Sequence, residues 1–157
     1  MTILAFDFGG TKLGAAVVDL NHPGDIHRLV EPTPAQEGPD AVLKTMFQLG
    51  DRACESSNEE PTAIGISYGG PVTPDRQRCV LSNHIPGWVD FPLVERVKEQ
   101  YGIPVAMDND ANAAALGSWA VDTQYEPDHF MYVQASTGIG GGLVLNRKLY
   151  RGASMSG

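Results

Sequence analysis

The sequence is poor in the residues that would mark several large classes of protein. It has two cysteines in 157 residues, Cys54 and Cys79, and they sit in unrelated contexts. That argues against a disulfide framework and leaves reduced, inert thiols as the simplest account. Lys and Arg number 11 against 19 Asp and Glu, for a net charge of −8, and no basic cluster occurs. A surface of that sign is a poor partner for nucleic acid or for an anionic membrane. No apolar run approaches the roughly 18 residues that a membrane span needs. The opening MTILAFDFGG has no basic region ahead of its apolar stretch, so it does not read as a secretory leader and a cytoplasmic location is expected. His22, His27 and His129 show no metal-ligand spacing with cysteine or with one another.

What is present is a globular balance: 42% hydrophobic and 19% charged residues, with 18 glycines and 11 prolines for turns. Thr2–Asp7 reads as a strand stopped by Gly9-Gly10, and Gly14–Leu20 as a second strand, the two forming a hairpin. A third strand is expected near His27–Glu31. Val42, Met46, Leu49 and Ala53 give one helical face over Pro39–Ser56. Thr62–Ser67 reads as a strand, Arg78–Leu81 as a short one, Pro92–Gln100 as a helix, and Pro104–Met107 as a buried strand. An alanine-rich helix follows over Asn109–Ala120. Two further strands, Phe130–Ala135 and Gly141–Asn146, flank a glycine turn at Gly138–Gly142. A hairpin followed by alternating strands and helices indicates an α/β fold with a mixed sheet. The polar stretch Val121–Asp128 is the expected lobe boundary, dividing 1–120 from 121–157. Two strands and a turn cannot cover their own apolar faces, so the second lobe is expected to be incomplete here or packed on something else.

Four constellations could carry chemistry. Asp7-Phe8-Gly9-Gly10-Thr11-Lys12 follows a strand; bare backbone there could approach an anion, Thr11 adds a hydroxyl, Lys12 a charge, and Asp7 could hold Mg²⁺ through water. A plain hairpin turn needing positive φ carries equal weight for this segment taken by itself. Ser136-Thr137-Gly138-Ile139-Gly140-Gly141-Gly142 repeats the form, strand to Gly/Thr turn to strand, some 125 residues later, which favours phosphate binding for the pair. Neither loop is a P-loop, and neither leads into a helix as a dinucleotide fingerprint does. Asp108-Asn109-Asp110 stands between a strand and a helix. Helix capping and a carboxylate that takes a hydroxyl proton are evenly matched there. Gly69-Gly70 and Ser82-Asn83-His84-Ile85-Pro86-Gly87-Trp88 could wall a sugar, although two surface turns over a buried Trp88 is the plainer reading.

Taken together, DFGGTK (7–12), GISYGGPV (65–72), SNHIPGW (82–88), DNDANAAALG (108–117) and STGIGGGLV (136–144) closely resemble the ROK family, the repressor/open-reading-frame/kinase sugar kinases. The pieces run in order over almost the whole chain. The resemblance implies an actin/hexokinase-type ATPase fold (ribonuclease H-like), a mixed sheet with flanking helices, and two lobes around an ATP-and-sugar cleft. It implies that Gly9, Gly10, Thr11 and Lys12 form the first phosphate loop, and Thr137, Gly138 and Gly140 the second. Asp110 matches the catalytic base and Asn109 a sugar-hydroxyl ligand; Gly70 and Asn83 fall where relatives line the sugar pocket. The implied reaction is transfer of the γ-phosphoryl group of Mg·ATP to a hexose or N-acetylhexosamine hydroxyl, expected to be the 6-OH, as in a glucokinase.

Two departures qualify this. Ser118 stands where many relatives carry Glu. The sequence given stops at RGASMSG (151–157), whereas in relatives a Glu and a Gly-His pair follow almost at once. Those residues add sugar ligands and, in many members, begin a structural zinc site, so zinc is expected only beyond this chain. The 157 residues are thus expected to be the first half of a kinase and inactive in isolation. The full-length protein is expected to be a homo-oligomer, commonly a dimer in the family. The alternatives are a sugar-sensing ROK transcriptional regulator, disfavoured because the first phosphate loop begins at residue 7 and leaves no room for a DNA-binding domain, and a non-catalytic sugar-binding module.

Overall fold

The computed structural model describes residues 1–23, 26–82, 84–135 and 139–152. Its main layer is a five-stranded mixed sheet in the order β3-β2-β1-β4-β7. Strand β1 (Thr2–Phe8) pairs antiparallel with β2 (Lys12–Asp19), and β2 antiparallel with β3 (Leu29–Pro32). On its other side β1 runs parallel to β4 (Ala63–Tyr68), which runs parallel to β7 (Val105–Asn109). The alternation in β1 and β4 explains the layering. Leu4, Phe6, Phe8, Ile64, Ile66 and Tyr68 point to one face and are buried, while Asp7 and Ser67 point to the other.

The apolar face is covered by α1 (Pro39–Ser57) and α2 (Leu93–Tyr101). Helix α1 starts on a proline and buries Val42, Met46, Leu49 and Ala53, the stripe read from the sequence, together with Leu43. Gly102 ends α2 at φ 68°, its N–H donating to Lys98 O. Between β4 and α2 lies a two-stranded ladder of β5 (Cys79–Leu81) and β6 (Val89–Phe91). Both cysteines are free; burial pushes the Cys79 thiol up to about 12 and raises Cys54 as well, as expected for inert thiols.

Helix α3 (Asp110–Val121) leaves β7 directly and packs against both β4 and β7 of this sheet and β8 (Phe130–Ala135) and β9 (Ile139–Leu145) of a second. The second sheet has the order β10-β9-β8, with β10 at Lys148–Tyr150. Here the structure lengthens the strand read from the sequence: β9 begins at Ile139 rather than Gly141, so Gly140 joins Gly141 and Gly142 in the ladder, paired with Gln134, Val133 and Tyr132. The reason is tertiary. A Cβ on Gly142 would stand 2.5 Å from the Ala115 methyl and 2.9 Å from Ala111 O, so bare backbone lets the strand lie against the alanine face of α3. The opposite face of this sheet is exposed and apolar: Met131, Val133, Ile139, Leu143 and Tyr150 stand in solvent, Ile139 at 86% exposure. Asp122–His129, between α3 and β8, holds no helix or strand and is pinned by the Trp119 indole N–H donating to Pro127 O at 2.9 Å. No helix among the described residues is long and apolar enough to cross a membrane.

Candidate active site

Strands β1, β4 and β7 are parallel and end side by side, and an open α/β sheet places its ligands at that carboxyl edge. The sequence candidates gather there. After β1 the chain turns through Gly9–Lys12 into β2, with Gly9 N–H closing the turn on Lys12 O at 3.1 Å. Neither Gly9 nor Gly10 takes a positive φ, so a hairpin's demand for the left-handed region is not why glycine is here. Close approach is: a Cβ on Gly10 would meet the His84 side chain at 2.5 Å. Among the described residues the Gly10 and Thr11 N–H groups have no hydrogen-bond partner, while Gly9 N–H is used within the turn. Thr33 braces the loop from behind, its N–H donating to Thr11 O and its hydroxyl to Gly9 O at 2.8 Å. Lys12 is exposed at the start of β2.

The turn after β4 abuts this one, Gly69 N–H donating to Phe8 O at 2.9 Å. The turn after β4 is in turn tied to β7, because Asn109 Nδ2 donates to Gly70 O at 3.1 Å. Asn109 is also the N-cap of α3, its Oδ1 accepting from Ala111 N–H at 3.0 Å. The capping role weighed for this cluster therefore falls on Asn109, the residue before the helix. Asp110 is the first helical residue: its Oδ1 accepts from Ala111 N–H at 2.8 Å and its Oδ2 from Gln134 Nε2 at 3.3 Å. Gln134 pairs across β8 and β9 with Gly140, so the second glycine strand reaches the same edge as Asp110.

One residue back, on the face away from α1 and α2, a polar row crosses the sheet in register: Asp7, Ser67, Asp108. Ser67 Oγ lies 3.4 Å from Asp7 Oδ1, and Arg28 is paired with Asp7. Carboxylate and hydroxyl oxygens are the donor type Mg²⁺ takes, so this strand end fits a hydrated Mg²⁺. Asp108 is buried, and Arg151 donates to it through Nε at 3.0 Å and Nη2 at 2.7 Å. Trp88 is fully buried, stacked on Phe91 at a centroid distance of 4.2 Å, so it is core and offers no open plane to a sugar. Asn83, Thr137 and Gly138 lie outside the described residues. The sequence reading passed over Thr33, Gln134 and Arg151; none belongs to a local motif, and each is recruited by a long-range hydrogen bond.

A glycine-turned edge of parallel strands, with an Asn-Asp pair opening a helix, on a sheet of order 3-2-1-4-7, defines the actin/hexokinase-type ATPase class of fold. The chain belongs to the ROK family, whose family model matches residues 3–157. It is 35% identical over 155 residues to an N-acetylmannosamine kinase of Salmonella newport, covering 97% of this chain and 50% of that protein. Among solved structures, a ROK hexokinase of Thermus thermophilus superposes with a TM-score of 0.86 at 35% identity over 100% of this chain and 51% of that one. A ROK family glucokinase of Streptomyces griseus, in complex with glucose and AMPPNP, superposes with a TM-score of 0.84 at 31% identity, over 97% and 47%. The chain spans about half the length of the relatives it matches.

Proposed function

We propose that this chain is the phosphate- and sugar-facing half of an ATP-dependent kinase for a hexose or an N-acetylhexosamine, phosphorylating a hydroxyl, the 6-OH by preference. The observation that carries the reading is the convergence of the Gly9–Lys12 turn, Gly70, Asn109 and Asp110 on the one edge where β1, β4 and β7 end. The identity to sugar kinases supports it. In this reading residues 1–120 form the first lobe, and 121–157 open a second.

Bound Mg·ATP supplies the transferable phosphoryl group and the charge that neutralises it. The chain's residues do the rest by placement. Gly10 and Thr11 present backbone N–H groups, and Lys12 a cation, to phosphate oxygens. In this reading Thr137 and Gly138, with Gly140 near the start of β9, complete the phosphate contacts. Asp7 would hold a hydrated Mg²⁺, which would supply positive charge to the phosphates. Gly70, Asn83 and Asn109 hold the sugar, with the Asn109 amide already oriented by its bonds to Gly70 O and Ala111 N–H. Asp110 accepts the proton of the attacking hydroxyl, and the Gln134 side-chain amide, donating through Nε2, steadies its second oxygen. Orientation of two bound substrates is the larger part of such catalysis.

The test is ADP release by the full-length protein, measured with a panel of glucose, mannose, fructose, allose and N-acetylmannosamine. Turnover that requires both ATP and one of these sugars is expected. ATP hydrolysis indifferent to every sugar, or none at all with each sugar bound, would refute the reading.

A further inference from the structure

The most enclosed carboxylate of this edge is Asp108, which the reaction just described does not use. Its side chain is 11% exposed. Its two oxygens face different elements. Oδ1 accepts from the N–H of the N-cap residue Asn109 at 2.9 Å and from Asn112 Nδ2, in the first turn of α3, at 3.1 Å. Oδ2 accepts both Arg151 donors, with Arg76 Nη1 a further 3.8 Å cation. Arg151 follows β10 immediately and lies 43 residues away in sequence. A carboxylate this deep is stable only while it is paired, so the exit of β10 is held to the start of α3.

Among the described residues the second sheet also meets α3 through Gly140 and Gly142 seated on Ala111 and Ala115, and through the neutral donor Gln134 Nε2 at 3.3 Å from Asp110 Oδ2. Arg147 adds a contact 5.7 Å over the Trp119 ring, at the C-terminal end of the helix. Arg151 to Asp108 is the contact that is both ionic and largely buried. Glycine on alanine gives close approach but little to fix rotation or sliding. A directional ionic contact fixes both. We propose that Asp108 and Arg151 form a positioning clasp. It sets the register between the α3 N-terminus, which carries Asn109 and Asp110, and the second sheet, which carries Gln134, Gly140 and the chain beyond β10. The catalytic consequence rests on the kinase reading; the clasp itself does not.

Two measurements test it in the full-length protein. The first is steady-state kinetics of Asp108→Asn, Arg151→Met and the double variant. Each single change is expected to lower kcat by about 10- to 100-fold, the scale of a roughly 1 Å misplacement, with KM for ATP within about threefold. The double variant should be no slower than the worse single one, because both changes break the same contact. Arg151→Lys should recover part of the loss. Arg78→Met, which breaks an ion pair with Asp90 away from this edge, should leave kcat unchanged. The second is amide hydrogen exchange, which needs no turnover: exchange at Asn109 and Ala111 and at the β10 exit should rise together in either single variant. Additive kinetic losses, unchanged kcat with only a lower thermal midpoint, or exchange that rises only beside the mutated residue would overturn the clasp. If Asp110→Asn retains full turnover, the kinase mechanism fails, and the exchange experiment still decides the clasp.

Discussion

Replacing Asp110 by Asn in the full-length protein is expected to lower the rate of phosphoryl transfer by about 10²–10⁴-fold, the usual cost of removing a general base. Sugar affinity should stay within about tenfold, because the loss falls on the transition state. The substitution is nearly isosteric. An amide oxygen at Oδ1 can still accept from Ala111 N–H, and its own amide group faces Gln134, which can turn to offer its carbonyl. The cap of α3 does not depend on Asp110, since Asn109 serves there, so the thermal midpoint should hardly move. A fall in kcat/KM with an unchanged midpoint and unchanged sugar binding separates chemistry from folding. Turnover close to that of the parent would mean that another group takes the proton.

The largest effect on stability is expected at Trp88. It is fully buried between Phe91 and Phe8, with ring centroids at 4.2 and 5.0 Å. Trp88→Ala should destabilise the protein by about 3–5 kcal/mol, through lost transfer energy and an unfilled cavity. The effect should reach the edge of the sheet. Trp88 O accepts from Ser82 N–H, and Trp88 N–H donates to Ile85 O, so the backbone of the connection that lays His84 over Gly10 is tied to the residue whose indole is buried against Phe8 and Phe91. Trp88→Phe should cost much less, because it keeps an aromatic contact and removes an indole N–H that has no acceptor among the described residues. Chemical denaturation of both variants checks the order. An alanine variant within 1 kcal/mol of the parent would contradict the core assignment.

The elements that were legible in the sequence are those with a long apolar period or a clear breaker. Helix α1 showed its buried stripe, and Gly102 marked the end of α2. The first hairpin was readable because Gly9-Gly10 interrupts two apolar runs, the first of them rich in β-branched and aromatic residues. What escaped was decided by partners distant in sequence. The strand Val89–Phe91 is only three residues long and exists through its pairing with β5, helped by Arg78 clasping Asp90, whose φ of 47° no local preference suggests. Gly140 looked like part of a turn because glycine is a strand breaker in isolation; the seating of Gly140 and Gly142 on Ala111 and Ala115 overrides that preference. At the edge itself the motif residues were visible as glycine turns and an Asn-Asp pair. Asp108 was visible only as a capping type, and Arg151 carried no local signal. Their meeting across 43 residues is a property of the packed chain.

The central claim, that the carboxyl edge of β1, β4 and β7 brings a sugar hydroxyl to Asp110 and phosphates to the Gly9–Lys12 turn, is tested most directly by one structure. That structure is the full-length protein bound to its sugar and a non-hydrolysable ATP analogue. The account predicts a sugar hydroxyl oxygen about 2.6–3.2 Å from the Asp110 carboxylate, directly or through one water, with phosphate oxygens on the Gly10 and Thr11 N–H groups. A sugar seated away from Asp110, or phosphates held on a different turn, would contradict it.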